Sequence, residues 1–359
     1  MANTALSLYK LRKELILALI RAGFQVYIST PKDLYFEHLQ SLGANIIVNE
    51  LNRHGTSLLQ EYGLYRAYHR LVKGLKPDIV LTYTIKPNIY GNMAAKKVGV
   101  PVISTITGLG EVFINDNMRN SFIKIMYRHA FKHVSCVMFQ NAEDEEILRR
   151  LKIIKRQRVV RVPGSGVNLE EHSVLPFLEN SVVSFLYIGR IMRAKGIGLL
   201  IDAARRLNDE CPGAFKVTLI GFHEGDIADE VGQAEKEGVV HDAGFQEDVV
   251  SFIREAHCIV LPSYKEGMSN VLLEAAASGR PLISANVSGC REIVEDGVNG
   301  FICKPRDSTS LYVAMKRFLH LPYSQRVDMG LASRRKAEIE FDRSIVIETM
   351  LKEIKEAGG

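Results

Sequence analysis

Residues 261–289, LPSYKEGMSNVLLEAAASGRPLISANVSG, predict a strand, a loop, a helix and a second strand. The predicted helix begins near Ser269 and Asn270, and Gly279 followed by Pro281 ends it. A helix amino terminus presents free N–H groups and the positive end of the helix dipole. The segment therefore predicts an α/β fold with an anion site at the start of this helix.

Two carboxylates flank the predicted helix terminus. Glu266 precedes it in the loop, and Glu274 follows one turn into the helix. At 1.5 Å per residue, Glu274 lies roughly 6 Å along the axis from Asn270. Carboxylates accept hydrogen bonds from hydroxyls, so the pattern suits a phosphate with a polyol on each side, as in a nucleotide sugar. Taken alone, two such glutamates more often belong to a solvated surface.

A second motif precedes the first by about seventy residues. Residues 182–189, VVSFLYIG, are typical of a buried strand, and the run leads into Arg190, Lys195 and Gly196. An arginine can bind a diphosphate bidentately and a lysine can act as a point charge, while glycine allows close approach. We expect Arg193, between them, to be solvated.

Together the two segments resemble the donor-site signature of retaining glycosyltransferase family 4. That signature has a Gly-Arg and a Lys-Gly pair in its first part. Its second part has two Glu residues separated by seven others, followed by Gly-x-Pro. They are most similar to bacterial transferases that build capsule, O-antigen or glycoprotein oligosaccharides on polyprenyl diphosphate. The resemblance implies an α/β fold of the GT-B type, with two doubly wound Rossmann-like domains facing each other across a cleft. It implies an acceptor-binding domain at 1–168, a nucleotide-sugar domain at 169–341, and a last helix, 342–356, that packs back on the first domain.

The resemblance also implies roles for individual residues. It assigns catalytic roles to Arg190, Lys195 and Glu266. Donor binding falls to Gly189, Gly244, Phe245, Gly267, Met268, Ser269, Asn270, Val271 and Glu274. The expected reaction moves a hexose-type sugar from a UDP-sugar to a lipid-linked saccharide, with retention, in bacterial surface polysaccharide or glycan synthesis. Amides at the helix start would stabilise the leaving diphosphate, Glu266 would orient the hexose, and Glu274 the ribose.

The acceptor side is expected in loops that follow two predicted strands of the first half. The carboxyl ends of strands in open α/β sheets are the usual ligand positions. The candidate residues are Lys86, Asn88, Thr107, Gly108 and Glu111. For these positions a functional and a purely structural role both remain open.

Composition and charge narrow the class of protein. The chain has 359 residues, 47% of them hydrophobic and 24% charged, as expected for two globular α/β domains. Residues 1–170 contain 24 Lys and Arg against 13 Asp and Glu, whereas 171–359 contain 22 against 28. The basic half suggests an anionic acceptor or membrane surface, and no nucleic-acid module accompanies it.

Cofactors and location follow from residue types and spacing. The five cysteines are scattered and lack metal or disulfide spacing, which indicates reduced thiols of a cytoplasmic protein. Neither paired histidines nor an Asp-x-Asp motif occurs, so we expect no cofactor and no bound divalent metal. No apolar run reaches the roughly 20 residues of a membrane span. We expect a cytoplasmic enzyme, peripherally associated with the inner face of the plasma membrane.

Residues 118–134, MRNSFIKIMYRHAFKHV, predict a basic amphipathic helix. One interpretation is a core helix with a solvated face. The other is docking on an anionic leaflet, to which each cation contributes about 1 kcal/mol.

The chain departs from the family pattern at its start. Family members open with a short apolar strand, whereas residues 1–10 here resemble the loop and helix start that follow it. We expect the first strand, central in the sheet, to be missing through a truncation of about ten residues. Unpaired backbone edges would result.

Other function classes stay open at this point. A UDP-sugar epimerase or a glycosyl phosphorylase could share the fold, and so could a non-catalytic partner that binds a UDP-sugar. A dinucleotide-binding dehydrogenase is disfavoured, because residues 162–168, VPGSGVN, lack the third glycine of GxGxxG and the acidic residue expected about 20 positions later.

Overall fold

The structure is a computed structural model that describes residues 1–49, 58–110, 113 and 118–358. The chain divides into two compact units. Unit 1 comprises Met1–Ser165 and Ser344–Gly359, and unit 2 comprises Gly166–Arg343.

Unit 1 alternates parallel strands with helices. Its strands are β1 (Tyr27–Thr30), β2 (Asn45–Val48), β3 (Val80–Tyr83), β4 (Val102–Ile106), β5 (Cys136–Phe139) and β6 (Arg158–Arg161). Its helices are α1 (Ala5–Arg21), α2 (Phe36–Gln40), α3 (Leu58–Leu75), α4 (Asn92–Val98), α5 (Met118–Ala130), α6 (Ala142–Arg150) and α13 (Arg343–Gly358), whose first residue belongs to unit 2. A π-helical turn at Pro87–Gly91 leads into α4.

The strands of unit 1 form two separate sheets. One pairs β1 with β2, and the other runs β3-β4-β5-β6, all in parallel. Strands β4 and β5 are buried throughout, as expected for parallel strands covered on both faces.

The carboxyl-terminal helix α13 belongs to unit 1. Its Met350 and Ile354 are buried in the same apolar cluster as residues of α1. Its Glu353, almost fully buried, accepts two hydrogen bonds from the Arg158 guanidinium on β6, at 2.6 and 2.8 Å. That guanidinium holds the pKa of the Glu353 carboxyl below its usual value.

Unit 2 is built around one six-stranded parallel sheet. Its strands are β7 (Val183–Ile188), β8 (Phe215–Ile220), β9 (His241–Asp242), β10 (Cys258–Leu261), β11 (Leu282–Ala285) and β12 (Gly300–Cys303). Its helices are α7 (Ile197–Glu210), α8 (Ala228–Lys236), α9 (Val249–Glu255), α10 (Asn270–Ala277), α11 (Ser308–Leu319) and α12 (Tyr323–Glu340).

The sheet order in unit 2 is β12-β11-β10-β7-β8-β9. The chain starts in the middle at β7, continues outward on one side through β8 and β9, and returns on the other side at β10. The strand order therefore reverses between β7 and β10. Crevices at the carboxyl ends of strands beside such a reversal are the usual ligand sites of open α/β sheets.

A buried arginine stabilises the start of unit 2. The Arg280 side chain is fully buried and donates hydrogen bonds to five backbone carbonyls. Two of them, those of Leu175 and Pro176, belong to the segment that leads into β7. Its guanidinium also lies 5.3 Å from the centre of the Phe177 ring. Burial lowers the pKa of Arg280 to about 10.

Candidate functional site

Two glycines position the loop after β7, one against β8 and the other against the loop after β10. Gly189 has φ +149° and its N–H donates to the Ile220 carbonyl at 2.9 Å. Gly196 has φ +77°, and a Cβ there would lie 2.2 Å from the Pro262 carbonyl oxygen. Only glycine fits such a left-handed position pressed against another backbone. The two loops at the reversal point of the sheet are thus in direct contact.

This contact brings Lys195 to Glu266. The Lys195 Nζ donates to Glu266 Oε1 at 2.5 Å, and the side chains are 19% and 13% exposed. The backbone follows the same path, since the Tyr264 N–H donates to the Ala194 carbonyl at 3.0 Å. The two motifs, 71 residues apart in the sequence, therefore meet in one place.

Arginines of the same loop face acidic residues that follow β8. Arg190 donates to the Glu224 carboxylate at 2.8 Å, and both side chains are about half exposed. Arg193 pairs with Asp226 at 3.1 Å and Glu230 at 2.9 Å. Arg193 is therefore ion-paired as well as solvated. Sequence reasoning missed Glu224, because a charged loop after a strand has no distinguishing signal.

Helix α10 begins where the sequence predicts. Ser269 is its N-cap, and its hydroxyl accepts from the Leu272 N–H at 3.3 Å. The Ser269 N–H itself donates to the Gly289 carbonyl at 2.9 Å. This amide is thus engaged by Gly289 in the structure, and the role of Ser269 in donor binding stays a prediction. The N–H groups of Asn270 and Val271, in the first turn, have no acceptor carbonyl within the helix. They are the donors that a helix amino terminus offers to an anion.

Glu274 lies on α10, one turn beyond those donors, and its side chain is partly exposed. The first two turns of α10 thus contain N–H donors and the Glu274 carboxylate, and Glu266 in the loop before the helix binds Lys195 of the loop after β7. The arrangement suits an anion held between a helix terminus and cationic side chains.

Two aromatic rings form an exposed stack at the ends of neighbouring strands. The Phe222 and Phe245 rings lie 4.1 Å apart and almost parallel, at 13°. The side chains are 58% and 46% exposed. The Gly221 N–H donates to the Gly244 carbonyl, which aligns the two Gly-Phe pairs. Sequence reasoning found Gly244 and Phe245 but missed Phe222, although the repeated Gly-Phe pattern after strands is visible in the sequence.

The acceptor-side candidates lie in unit 1, and their environments differ. Lys86 donates to the Glu61 carboxylate of α3 at 2.6 Å, with both side chains largely covered. Asn88 is 1% exposed and its amide donates to the Thr105 carbonyl at 3.1 Å, which favours a structural role. Thr107 and Gly108 are partly exposed after β4. Glu111 lies outside the described residues.

Within the described ranges, no group of three or more His, Cys, Asp or Glu side chains is arranged to hold a metal ion. Among the helices that the structure describes, none is long and apolar enough to cross a membrane. The site in unit 2 consists of cations, carboxylates and helix amides.

Two protein families match the chain. The family described as glycosyl transferases group 1 matches residues 183–320, and the family described as glycosyl transferase 4-like matches residues 2–141. The first match covers the loops after β7 and β10 and helix α10. The second covers most of unit 1.

Curated relatives agree with these families. The chain is 24% identical over 370 residues to the N,N'-diacetylbacillosaminyl-diphospho-undecaprenol α-1,3-N-acetylgalactosaminyltransferase of Campylobacter jejuni, covering 98% of this chain and 96% of that protein. It is 26% identical over 284 residues to the UDP-Gal:α-D-GlcNAc-diphosphoundecaprenol α-1,3-galactosyltransferase of Escherichia coli, covering 73% and 71%.

A solved structure shows the same fold. Anabaena HepE in complex with UDP superposes with a TM-score of 0.76 and 18% identity, covering 96% of each chain. The likeness confirms the predicted GT-B fold class.

Proposed function

Because the chain belongs to the group 1 and 4-like glycosyltransferases, with the GT-B fold, we propose that it moves a hexose-type sugar from a UDP-sugar to a polyprenyl-diphosphate-linked saccharide. Two relatives carry diphospho-undecaprenol in their names, and one of the two names UDP-galactose as donor. The reaction would retain the anomeric configuration, as the family resemblance implies, and serve bacterial surface polysaccharide or glycan synthesis.

The observation that supports donor binding in unit 2 is the meeting of Lys195 with Glu266 beside the start of α10. A diphosphate in this place would receive N–H groups of Asn270 and Val271 from one side. Lys195 and Arg190 would supply positive charge from the other. Such preorganised donors stabilise charge that develops on a leaving group.

The carboxylates have separate roles in this proposal. Glu266 would accept hydrogen bonds from hydroxyls of the donor hexose, and Glu274 from those of the ribose. The leaving diphosphate itself would take the proton of the attacking acceptor hydroxyl. Cations and helix amides would take the place of a divalent metal.

The exposed Phe222–Phe245 stack would contact the uracil ring. Aromatic faces stack on nucleobases, and a stacked base contributes about 1–3 kcal/mol. The two rings follow β8 and β9, at the same carboxyl-terminal side of the parallel sheet as Arg190. The base would then lie farther along this edge than the diphosphate.

Unit 1 would hold the acceptor and contact the membrane surface. On α5 and the turn after it, Phe122, Ile125, Arg128 and Lys132 are exposed at helical spacing. Apolar side chains and cations on one face suit the headgroup region of an anionic leaflet. The protein would act at the cytoplasmic face of the plasma membrane.

Calorimetric titration with UDP in EDTA tests the donor site. We expect UDP to bind the wild type without metal, and UMP, which lacks the β-phosphate, to bind at least tenfold more weakly. Lys195→Met should remove most of this preference for UDP over UMP. Equal affinities for UDP and UMP in the wild type would refute the proposed diphosphate site.

A further inference from the structure

A buried tyrosine hydroxyl reaches the loop that follows β7. Tyr187, the last residue but one of β7, is fully buried. Its hydroxyl donates a hydrogen bond to the Arg190 carbonyl at 2.7 Å. A buried hydroxyl needs a hydrogen-bond partner, and this carbonyl supplies it. The bond therefore ties the core of unit 2 to the backbone of a residue in the proposed donor site.

The backbone just before Arg190 is closely packed on two sides. A Cβ at Gly189 would lie 3.0 Å from the Tyr187 hydroxyl. On the other side, a Cβ at Gly221, in the turn after β8, would lie 1.8 Å from the Gly189 carbonyl oxygen. Two glycines thus let the loop close on the tyrosine hydroxyl and on the neighbouring turn.

The residue after Arg190 is fixed in the same way, whereas the Arg190 side chain is not. The Ile191 N–H donates to the Phe222 carbonyl at 2.8 Å, and the Ile191 carbonyl accepts from the Glu224 N–H at 3.0 Å. The Arg190 guanidinium ends in an ion pair with Glu224 in which both side chains are about half exposed. Exposed ion pairs contribute little to stability. A ligand anion can therefore replace Glu224 while the Arg190 backbone keeps its place.

Packing alone does not account for the Tyr187 hydroxyl, because a phenylalanine would fill the same space around the ring. Burial raises the pKa of this hydroxyl, and the nearby Glu266 carboxylate raises it further. The hydroxyl therefore stays protonated at neutral pH and donates to the Arg190 carbonyl. Since the Tyr187 side chain is fully buried, it acts on a ligand only through Arg190.

We propose that Tyr187 is a positioning residue, whose hydroxyl holds the Arg190 backbone where the guanidinium reaches the β-phosphate of a bound nucleoside diphosphate. This role rests on the donor site proposed above. Without the hydroxyl, the Arg190 carbonyl loses its partner and the loop is free to shift. Hydrogen bonds between a guanidinium and a phosphate depend on distance and alignment, so a small shift of the backbone weakens them.

Calorimetric titration of Tyr187→Phe with UDP and UMP in EDTA tests the role. The Kd for UDP should rise about fivefold, as expected for one lost hydrogen bond, and the Kd for UMP should change less than about twofold, because UMP lacks the β-phosphate. Arg190→Met should raise the Kd for UDP about tenfold. Adding Tyr187→Phe to Arg190→Met should change the Kd no further, because the hydroxyl acts through Arg190.

Tyr323→Phe is the matched control. It removes a hydroxyl that donates to the Phe177 carbonyl at 3.0 Å elsewhere in unit 2, and it should leave both affinities unchanged.

Three results would overturn the role of Tyr187 while leaving the donor site standing. One is a wild-type Kd for UDP in Tyr187→Phe, and another is an equal loss of affinity for UDP and UMP. The third is a loss in the Arg190→Met background as large as in the wild type, which would show that the hydroxyl acts independently of Arg190. Equal affinities of the wild type for UDP and UMP would instead refute the donor site, and the role of Tyr187 with it.

Discussion

Replacing Lys195 by Met separates the stability of the donor site from its activity. The Lys195–Glu266 pair is short, at 2.5 Å, and both side chains are more than four-fifths covered. The variant leaves a largely buried carboxylate without its cation, which costs about 1–3 kcal/mol of unfolding free energy. It also removes a positive charge from the proposed diphosphate site. We expect kcat/KM to fall about 10²-fold, equivalent to about 3 kcal/mol of transition-state stabilisation.

The double variant Lys195→Met with Glu266→Gln separates the effect on stability from the effect on activity. The neutral amide that replaces the Glu266 carboxylate needs no cation. The free energy of unfolding in urea should therefore return most of the way to the wild-type value. Activity should stay at or below the level of Lys195→Met, because the charge is still absent. Arg193→Met, on the same loop but paired with other carboxylates, is the control and should change kcat/KM less than threefold. The reasoning is refuted if Lys195→Met keeps near-normal kcat/KM, or if stability and activity recover together in the double variant.

Three further predictions concern unit 2. Arg280→Met should lower the free energy of unfolding in urea by at least about 3 kcal/mol, because five backbone carbonyls lose a charged donor; a loss under about 1 kcal/mol would contradict this. Burial lowers the pKa of His257, so at acidic pH the unfolded chain binds a proton that the folded chain does not. The free energy of unfolding should therefore fall as pH drops below about 6.5, and it should fall less steeply in His257→Gln. Equal pH dependence of the unfolding free energy in wild type and variant would argue against this. Phe222→Ala and Phe245→Ala should each raise the Kd for UDP about tenfold, measured by calorimetry, and unchanged affinity would exclude the stack from base binding.

The sequence predicted the elements whose burial leaves a periodic signal. Central strands such as β7 and β10 are apolar throughout because helices cover both faces. Strand β6, RVVR, carries no such signal because it lies at the sheet edge with an arginine at each end. The start of α10 was predicted because its cap and its ending glycine are local signals.

The site could be predicted only where it depends on residue type and spacing. The resemblance assigns Lys195 and Glu266 to one site, and the structure places them in contact. The engagement of the Ser269 amide by Gly289, and the pairing of Arg190 with Glu224, depend on loop paths between distant segments. No local pattern encodes such paths.

Sugar transfer from a panel of UDP-sugars to a polyprenyl-diphosphate-linked saccharide, in EDTA, tests the central claim most directly. We predict release of UDP from one donor only when the acceptor is present, with a product whose anomeric configuration, read by NMR, matches that of the donor. UDP release that needs no acceptor, a requirement for inorganic phosphate, or an inverted product would contradict the account.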